Sequence, residues 1–226
     1  MYFDWTFILL IPAILLAGYA QTKVTSTYNK YSKVYARRNI TAAQLARQLL
    51  DMNGLNAVPI QPIRGSLTDN YDPRNKVLHL SETTYSSTSV AALGVAAHEC
   101  GHAIQDLEGY SPLRLRNNLA PIASIGSSAA WIIFIAGLLM SMMGLVRLGI
   151  LCFVAVVAFQ LVTLPVEMNA SNRALAALEG GGFLYDDELG QAKQVLSAAA
   201  LTYVAAALTA ILQLFRMLAI SRQSSR

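Results

Sequence analysis

Four long apolar runs divide the chain, with polar stretches between them. A helix needs about 20 apolar residues to cross the hydrocarbon core of a bilayer, and the runs approach or exceed that length. Arg147 is the only charge between the two middle runs, which predicts a helical hairpin that turns near residues 141–149. The pattern therefore predicts about four transmembrane helices, at residues 5–20, 117–146, 148–166 and 195–215.

The first run is short and contains Pro12, but no lysine or arginine precedes it. A cleaved signal peptide has a basic segment before its apolar core, so we expect a retained membrane anchor. The fourth run is rich in alanine and includes Ser197, Thr202 and Thr209, a composition suited to close packing against other helices.

Residues 21–118 are the only segment long enough for a water-facing domain, and their pattern predicts mixed helix and strand. Thr41 and Gln44 form a capping box for a helix that ends at Gly54. Extended segments are expected at residues 58–60 and 76–80, the second of them after a turn at residues 72–75. We expect this second segment to be a short edge strand, to which an extended peptide can add.

Ahead of that domain, Val24, Tyr28, Tyr31 and Tyr35 share one helical face, while the basic residues lie largely elsewhere. This pattern is typical of an amphipathic helix at the level of the lipid headgroups. It fits a simple extension of the first span equally well, so both interpretations stay open at this point.

Composition agrees with a membrane protein. The chain of 226 residues is 54% hydrophobic and 13% charged, whereas charged residues make up about a quarter of a soluble domain. Its two cysteines, Cys100 and Cys152, are not placed for a disulfide framework, which favours a reducing compartment. The net charge of +4 is spread beside the apolar runs, so anionic membrane lipid is an expected partner and nucleic acid is not.

Basic residues near the helix ends predict the orientation, because basic loops stay in the cytoplasm. The bias favours both termini outside and the large loops inside, although the basic C-terminal tail opposes it. Nine basic residues flank the loops on one side (Lys23, Lys30, Lys33, Arg37, Arg38, Arg114, Arg116, Arg173 and Lys193), and four lie on the other (Arg147, Arg216, Arg222 and Arg226).

The segment His98-Glu99-Cys100-Gly101-His102 lies in a predicted helix. Capping residues at 86–89 mark the start of this helix, and Gly109 marks its end. Two histidines four residues apart share a helical face, where their ring nitrogens can bind one zinc ion at about 2.0–2.1 Å. A five-residue match arises by chance, and such a pair can be a plain polar pair. Here the chain has three histidines, two of them in the motif, and no charge between Glu82 and Glu99.

Glu99 projects beside the two histidines. Its carboxylate can accept a proton from a zinc-bound water, whose pKa the metal lowers to about 7, and pass it to the leaving amine. Cys100 lies on the far side of the helix and is not a predicted ligand.

A catalytic zinc ion needs a third protein ligand, and Glu167 is the candidate. If the hairpin goes out and returns, Glu167 comes back to the surface that carries the histidines, with Pro165 breaking and redirecting the helix there. The plain alternative is a carboxylate that only lies at the interface. Ser171, four residues on, shares its face with Glu167 and can hydrogen-bond a zinc-binding histidine.

Two further residues have weaker claims. Arg173 can stabilise a developing oxyanion, or it is a surface charge. His79 can be a ligand or an oxyanion donor, but its place in an alternating strand favours an ordinary strand side chain.

The chain resembles the YugP-like neutral zinc metallopeptidases of bacterial membranes over nearly its whole length. The resemblance rests on Leu67-Thr68-Asp69-Asn70-Tyr71-Asp72-Pro73-Arg74, Val77-Leu78-His79-Leu80-Ser81, Ala96-Ala97-His98-Glu99-Cys100-Gly101-His102-Ala103-Ile104-Gln105 and Leu164-Pro165-Val166-Glu167-Met168-Asn169-Ala170-Ser171. It implies a zinc-dependent membrane peptidase in which His98 and His102 bind the metal and Glu99 is catalytic.

More distantly, the layout is similar to that of the HtpX-like and CAAX prenyl membrane proteases, which also place a transmembrane hairpin between the two histidines and a ligand glutamate. That similarity supports Glu167 as a ligand. In those relatives an aspartate four residues after the glutamate steadies a zinc-bound histidine, whereas this chain has Ser171. Asp106 or a backbone carbonyl is the expected substitute.

The sequence therefore predicts a mainly α membrane protein with a small α+β zincin-like cytoplasmic domain. The expected segments are an anchor (1–20), the cytoplasmic domain with the HExxH helix (21–118), a transmembrane hairpin (119–166), a cytoplasmic ligand-bearing helix and loop (167–194), and a fourth transmembrane helix with its tail (195–226).

The function expected is that of a zinc metalloendopeptidase of gluzincin type in the cell membrane, acting at the cytoplasmic face on peptides or membrane proteins, in quality control. A non-catalytic zinc-stabilised scaffold that recruits partners is the alternative, although it has no use for Glu99. A small transporter or channel subunit needs polar groups inside its spans, and the apolar runs contain almost none. A membrane-protein partner and a homo-oligomer are both open.

Overall fold

Helices make up most of the computed structural model, which describes residues 5–224. A 3₁₀ helix (Trp5–Leu10) leads into α1 (Ile11–Tyr31), and α2 (Ala42–Met52) follows. Three strands come next, and then five helices complete the chain. These elements are β1 (Ile60–Ile63), β2 (Asn70–Asp72), β3 (Val77–Ser81), α3 (Glu82–Tyr85), α4 (Val90–Leu107), α5 (Ser111–Leu139), α6 (Met143–Gly180) and α7 (Asp186–Ser224).

Four helical segments are long and apolar enough to cross a membrane, which confirms the expectation of about four spans. The chain is a mainly α membrane protein with a small sheet. The hairpin turns at residues 140–142, with Ser141 in the left-handed region at φ 54°, so the turn is tighter than the sequence predicted. The four segments are Thr6–Tyr31, Ser111–Leu139, Met143–Gly180 and Asp186–Gln223.

The first span continues without a break to Tyr31, as the extension interpretation has it. Tyr28 and Tyr31 are buried in a small cluster with Ala91 and Val195. Their rings therefore pack against protein, and the interpretation of this stretch as a separate headgroup helix is wrong. Tyr35 lies beyond the end of α1 and is 71% exposed.

The described residues form two compact units, and α1, α6 and α7 contribute residues to both. Residues 5–20, 111–165 and 202–224 form what we call the membrane unit. Residues 21–110 and 166–201 form what we call the site unit. The core of the site unit is built from leucines of several elements, among them Leu45, Leu49, Leu50, Leu78, Leu80, Leu93 and Leu178.

α2 forms where its cap predicts it. The Thr41 side chain accepts a hydrogen bond from the Gln44 amide, and the Gln44 side chain accepts one from the Thr41 amide. These two bonds satisfy amides that the first turn of a helix leaves without partners. Gly54 follows the helix at φ 74°, in the left-handed region that glycine enters at no steric cost. The apolar face of α2 packs against α4 in the site unit.

The sheet has the strand order β1-β3-β2, with β1 parallel and β2 antiparallel to β3. β1 and β3 lie close to the two predicted segments, whereas β2 was not predicted. The turn at Asp72 is present, with its Oδ1 accepting hydrogen bonds from the Arg74 and Asn75 amides. β3, which carries His79, is the middle strand, so the expectation that it is an edge strand is wrong because both of its sides are already paired.

In the membrane unit, α5 and α6 cross closely. A Cβ on Gly149 of α6 would lie 2.8 Å from the Ala130 carbonyl oxygen of α5, so only glycine permits this approach. Phe134 and Met217 are fully buried in the core of this unit. Arg216 is also anchored within the unit, because its Nε donates to Thr6 Oγ1 and its guanidinium lies 4.1 Å from the centre of the Phe7 ring.

Candidate metal centre

α4 presents the two histidines of the motif on one face. The helix begins after Ser89, whose hydroxyl accepts a hydrogen bond from the Ala92 amide, and Gly109 follows its end at φ 66°. Small apolar residues fill most of the helix, which lets neighbouring elements come close. One helical turn separates His98 from His102, and their rings meet edge to face with centroids 4.7 Å apart.

Glu167 lies within α6, two residues after Pro165. The prediction that this proline breaks the helix is wrong, since α6 runs continuously from Met143 to Gly180. An apolar environment offers the backbone no other partners, which favours an unbroken helix around a proline. The Glu167 side chain is 3% exposed, so burial hides its charge from water.

The three side chains converge on one point. Glu167 Oε2 lies 3.2 Å from His98 Nε2 and 3.5 Å from His102 Nε2. Ligands at about 2.0–2.1 Å from a tetrahedral zinc ion are separated from one another by about 3.3 Å. The donor set and its spacing therefore fit zinc, and together His98, His102 and Glu167 could hold a metal ion.

Gly101 permits this convergence. A Cβ at this position of α4 would lie 2.6 Å from the Ala170 carbonyl oxygen of α6, closer than real Cβ atoms come. Ala170 lies one turn beyond Glu167, so the close crossing occurs beside the ligands. The residue at position 101 thus sets how near the two ligand-bearing helices lie.

Glu99 is 8% exposed and lies beside the histidines on α4. Its Oε2 accepts a hydrogen bond of 2.9 Å from the Tyr71 backbone amide. Burial raises the pKa of Glu99 to about 7, and the neighbouring His98 and, to a smaller extent, the Tyr71 amide oppose part of that rise. A carboxyl group with a pKa near neutrality can both accept and release a proton under physiological conditions.

Tyr71 belongs to β2, the edge strand next to α4. The residue that faces Tyr71 across the strand pair is Leu78 of β3. Its amide faces away from β2 and donates to the Pro59 carbonyl oxygen on the β1 side of the sheet. The Tyr71 amide likewise faces away from the β2–β3 pair, and it donates to Glu99 Oε2. Its phenol donates to Asp106 Oδ2 at 2.7 Å, so one residue of β2 contacts α4 at two places.

Each histidine has a second partner through Nδ1. Ser171 Oγ lies 3.1 Å from His98 Nδ1, and Gln105 Oε1 lies 3.0 Å from His102 Nδ1. The structure thus places Ser171 where the sequence suggested it. Gln105 holds the position for which Asp106 was suggested, since Asp106 instead accepts from Tyr71 and from the Lys76 ammonium.

Three other residues have partners away from the convergence point. His79 Nδ1 lies 3.2 Å from Asn70 Oδ1, across the strand pair. Arg173 donates to Asn169 Oδ1 at 2.7 Å and pairs with Glu108 at 2.6 Å. Cys100 is buried on the opposite side of α4, where its thiol donates to the Ala46 carbonyl oxygen.

Gly101, Gln105 and Tyr71 contribute to the centre, yet sequence reasoning did not identify them. Gln105 had a signal, because an amide side chain one turn after His102 is unusual on a helix of small apolar residues. Gly101 and Tyr71 had none, since their contacts depend on how closely other elements approach α4.

Comparison with known proteins confirms the resemblance stated from the motifs. Residues 6–222 match a family model described as "Putative neutral zinc metallopeptidase". The chain is also 48% identical over 212 residues to the "Putative membrane protease YugP" of Bacillus subtilis (strain 168), which covers 94% of each protein. No solved structure matches.

We predict that Gly101→Ala destabilises the site unit by about 1–3 kcal/mol, the usual cost of overpacking, because the new methyl group meets a backbone oxygen. Gly94→Ala is the matched control on the same helix, since its Cβ would lie at an ordinary 3.5 Å from the Ala192 Cβ. Thermal unfolding of the purified proteins in detergent measures both changes. Equal unfolding temperatures for the two variants would contradict the prediction.

Proposed function

This chain belongs to the neutral zinc metallopeptidase family, and from that premise we propose that it is a zinc-dependent endopeptidase of the cell membrane. The observation that carries the proposal is the convergence of the His98 and His102 Nε2 atoms on one oxygen of Glu167. Glu99, buried beside them, supplies the carboxylate that peptide hydrolysis needs. The HExxH motif with a distant glutamate ligand corresponds to the gluzincin type.

His98, His102 and Glu167 would hold the zinc ion and leave a fourth position open. Bound zinc supplies a Lewis acid and lowers the pKa of water in that open position. The burial of Glu167 favours this arrangement, because a carboxylate shielded from water interacts more strongly with a cation.

Glu99 acts as the general base. Its carboxylate takes a proton from the water that attacks the peptide carbonyl carbon, and it then delivers that proton to the nitrogen of the leaving amine. The Tyr71 amide holds Oε2, which fixes the direction in which the other carboxylate oxygen faces. The pKa near 7 suits a group that must do both steps.

The substrate is expected to bind as an extended peptide. β3 has both sides paired, so the strand available next to Glu99 is β2. The Tyr71 amide on the unpaired side of β2 is already bonded to Glu99, so an added peptide would pair with the remaining backbone groups of that side, in bonds that do not depend on its sequence. Peptides and segments of membrane proteins are the expected substrates, and their cleavage would serve membrane-protein quality control.

We place the site unit on the cytoplasmic side, because nine of the basic residues flank the loops of that side. Arg216, one of the four opposing residues, is anchored against Thr6 and Phe7 within the membrane unit. The charge of Arg216 is therefore weaker evidence for the membrane orientation than the charge of a basic residue in a loop. The basic loops also suit anionic lipid at that face.

Glu99→Gln should retain stoichiometric zinc but lose peptide hydrolysis by about 10²- to 10⁴-fold, because the amide cannot accept the proton. The assays are bound zinc and casein cleavage by the purified protein in detergent. Glu82→Gln, an exposed glutamate at the start of α3, is the control and should retain activity. Full activity in Glu99→Gln would refute the enzyme, and zinc bound without any cleavage by the wild type would favour a scaffold.

Glu167→Ala should lose bound zinc and with it all cleavage, because two histidines alone hold the ion too weakly. Glu179→Ala is the control, as it removes an exposed carboxylate from the same helix. Metal content after gel filtration gives the readout. Stoichiometric zinc in Glu167→Ala would remove Glu167 from the ligand set.

The orientation is testable with single cysteines in a Cys152→Ala background, where the remaining Cys100 is 1% exposed. A membrane-impermeant maleimide should label Met142→Cys, in the hairpin turn, on intact cells. It should label Ser66→Cys, in the exposed loop before β2, only after the membrane is opened. The reverse pattern would place the site unit outside.

A further inference from the structure

We propose that Gln105 is a positioning residue that fixes a ring hydrogen of His102 on Nδ1, so that Nε2 is the nitrogen that can bind metal. The part of this inference that concerns metal rests on the proposed zinc site. The part that concerns the ring hydrogen stands on the hydrogen bonds of the protein alone.

Gln105 is fully buried and uses its whole amide group. Its Nε2 donates to the Val166 carbonyl oxygen and to Asn169 Oδ1, each at 2.9 Å. Its Oε1 lies 3.0 Å from His102 Nδ1. One side chain of α4 thus connects a metal-binding histidine to the turn of α6 that carries Glu167.

The chemistry of these partners determines which way the amide faces. The Val166 carbonyl oxygen can only accept a hydrogen bond, so the amide nitrogen of Gln105 must face it. Arg173 can only donate, and its Nε lies 2.7 Å from the Asn169 side chain, which must therefore present its oxygen. That oxygen accepts the second hydrogen of the Gln105 amide.

The oxygen of Gln105 is then left facing His102. Two acceptors cannot form a hydrogen bond, so Nδ1 of His102 must carry the hydrogen. A neutral imidazole with its hydrogen on Nδ1 has its lone pair on Nε2. This is the nitrogen that lies 3.5 Å from Glu167 Oε2, at the point where the ligands converge.

The reversed amide is strongly disfavoured. Turning Gln105 over would bring its oxygen against the Val166 carbonyl and against Asn169 Oδ1, in a place that water does not reach. Buried polar groups without hydrogen-bond partners are costly, so the network has one arrangement.

His98 differs in this respect. Its Nδ1 faces Ser171 Oγ, and a hydroxyl group can donate or accept. The contact therefore does not determine whether Nδ1 of His98 carries hydrogen, whereas Nδ1 of His102 faces an oxygen whose role as acceptor is set by its neighbours.

The first test uses the metal-free protein labelled with nitrogen-15 histidine. The chain has three histidines, so three imidazoles are observed, and His79→Asn and His98→Gln assign them. At about pH 8, above the usual histidine pKa, nitrogen chemical shifts report which ring atom carries hydrogen. We expect His102 to carry it on Nδ1. In the metal-free protein Nε2 faces the Glu167 carboxylate, so the decisive observation is at Nδ1: a bare Nδ1 with hydrogen on Nε2 alone would overturn the inference without any variant.

Two substitutions separate positioning from general stability. Gln105→Leu removes every bond, whereas Gln105→Glu retains an oxygen facing His102 whether it is ionised or protonated. Both weaken the link to Val166 and Asn169 and should lower the unfolding temperature. Only Gln105→Leu should lose the Nδ1–H form of His102. Gln48→Leu, on the exposed face of α2, is the control.

Zinc affinity, measured by competition with a chelator, gives the second readout. Loss of a partner that orients a metal-binding histidine typically weakens metal binding about 10- to 100-fold, and Gln105→Leu should do so. Gln105→Glu should stay within a few-fold of the wild type. Equal zinc affinity and an unchanged ring hydrogen in Gln105→Leu would overturn the inference. Absence of zinc binding in the wild type would instead refute the proposed function, while the metal-free spectra still decide the ring hydrogen of His102.

Discussion

The close crossing of α4 and α6 at Gly101 is the contact on which the centre depends. The histidines belong to one helix and Glu167 to another, and two helices with ordinary side chains between them lie about 8–10 Å apart. A glycine facing the Ala170 carbonyl oxygen lets the backbones meet, and Glu167 Oε2 then lies 3.2 and 3.5 Å from the Nε2 atoms of the two histidines, a spacing that fits a metal ion. The buried amide of Gln105 then ties the same two helices by hydrogen bonds. The glycine that allows the close approach and the glutamine that links the two helices thus lie about one turn apart on α4.

Much of the architecture could be predicted from local signals. Length and hydropathy identified the four spans because a bilayer imposes a strict requirement on both. The boundaries of α2 and α4 followed from Thr41, Ser89 and the glycines after each helix, since caps are short-range chemistry. β2 escaped prediction because three residues of Asn-Tyr-Asp type carry no alternating pattern and resemble a turn. The continuation of α6 through Pro165 was not predicted, because the prediction applied the rule that proline breaks helices in water. Helices in membranes tolerate proline more readily.

The candidate site divides in the same way. The spacing of His98 and His102, and a carboxylate at the end of an apolar run, are visible in the sequence because metal ligands need specific side chains. The surroundings were not visible. Tyr71 reaches Glu99 through its backbone amide, a group that every residue except proline has, so its identity gives no signal. Gln105 was recognisable only as an unusual polar residue, since its role depends on the Val166 carbonyl oxygen opposite.

Tyr71 has one more consequence, for the strand to which it belongs. It touches α4 at Glu99 through its amide and at Asp106 through its phenol, two turns further along the helix. The middle residue of this three-residue strand is thus held to α4 at two points, and a shift by one residue would turn the amide away from Glu99. A peptide that paired with β2 would then lie in a fixed register beside Glu99, the proposed general base. In the proposed peptidase, the choice of cleavage site would therefore depend on which segments can reach this strand as well as on their side chains.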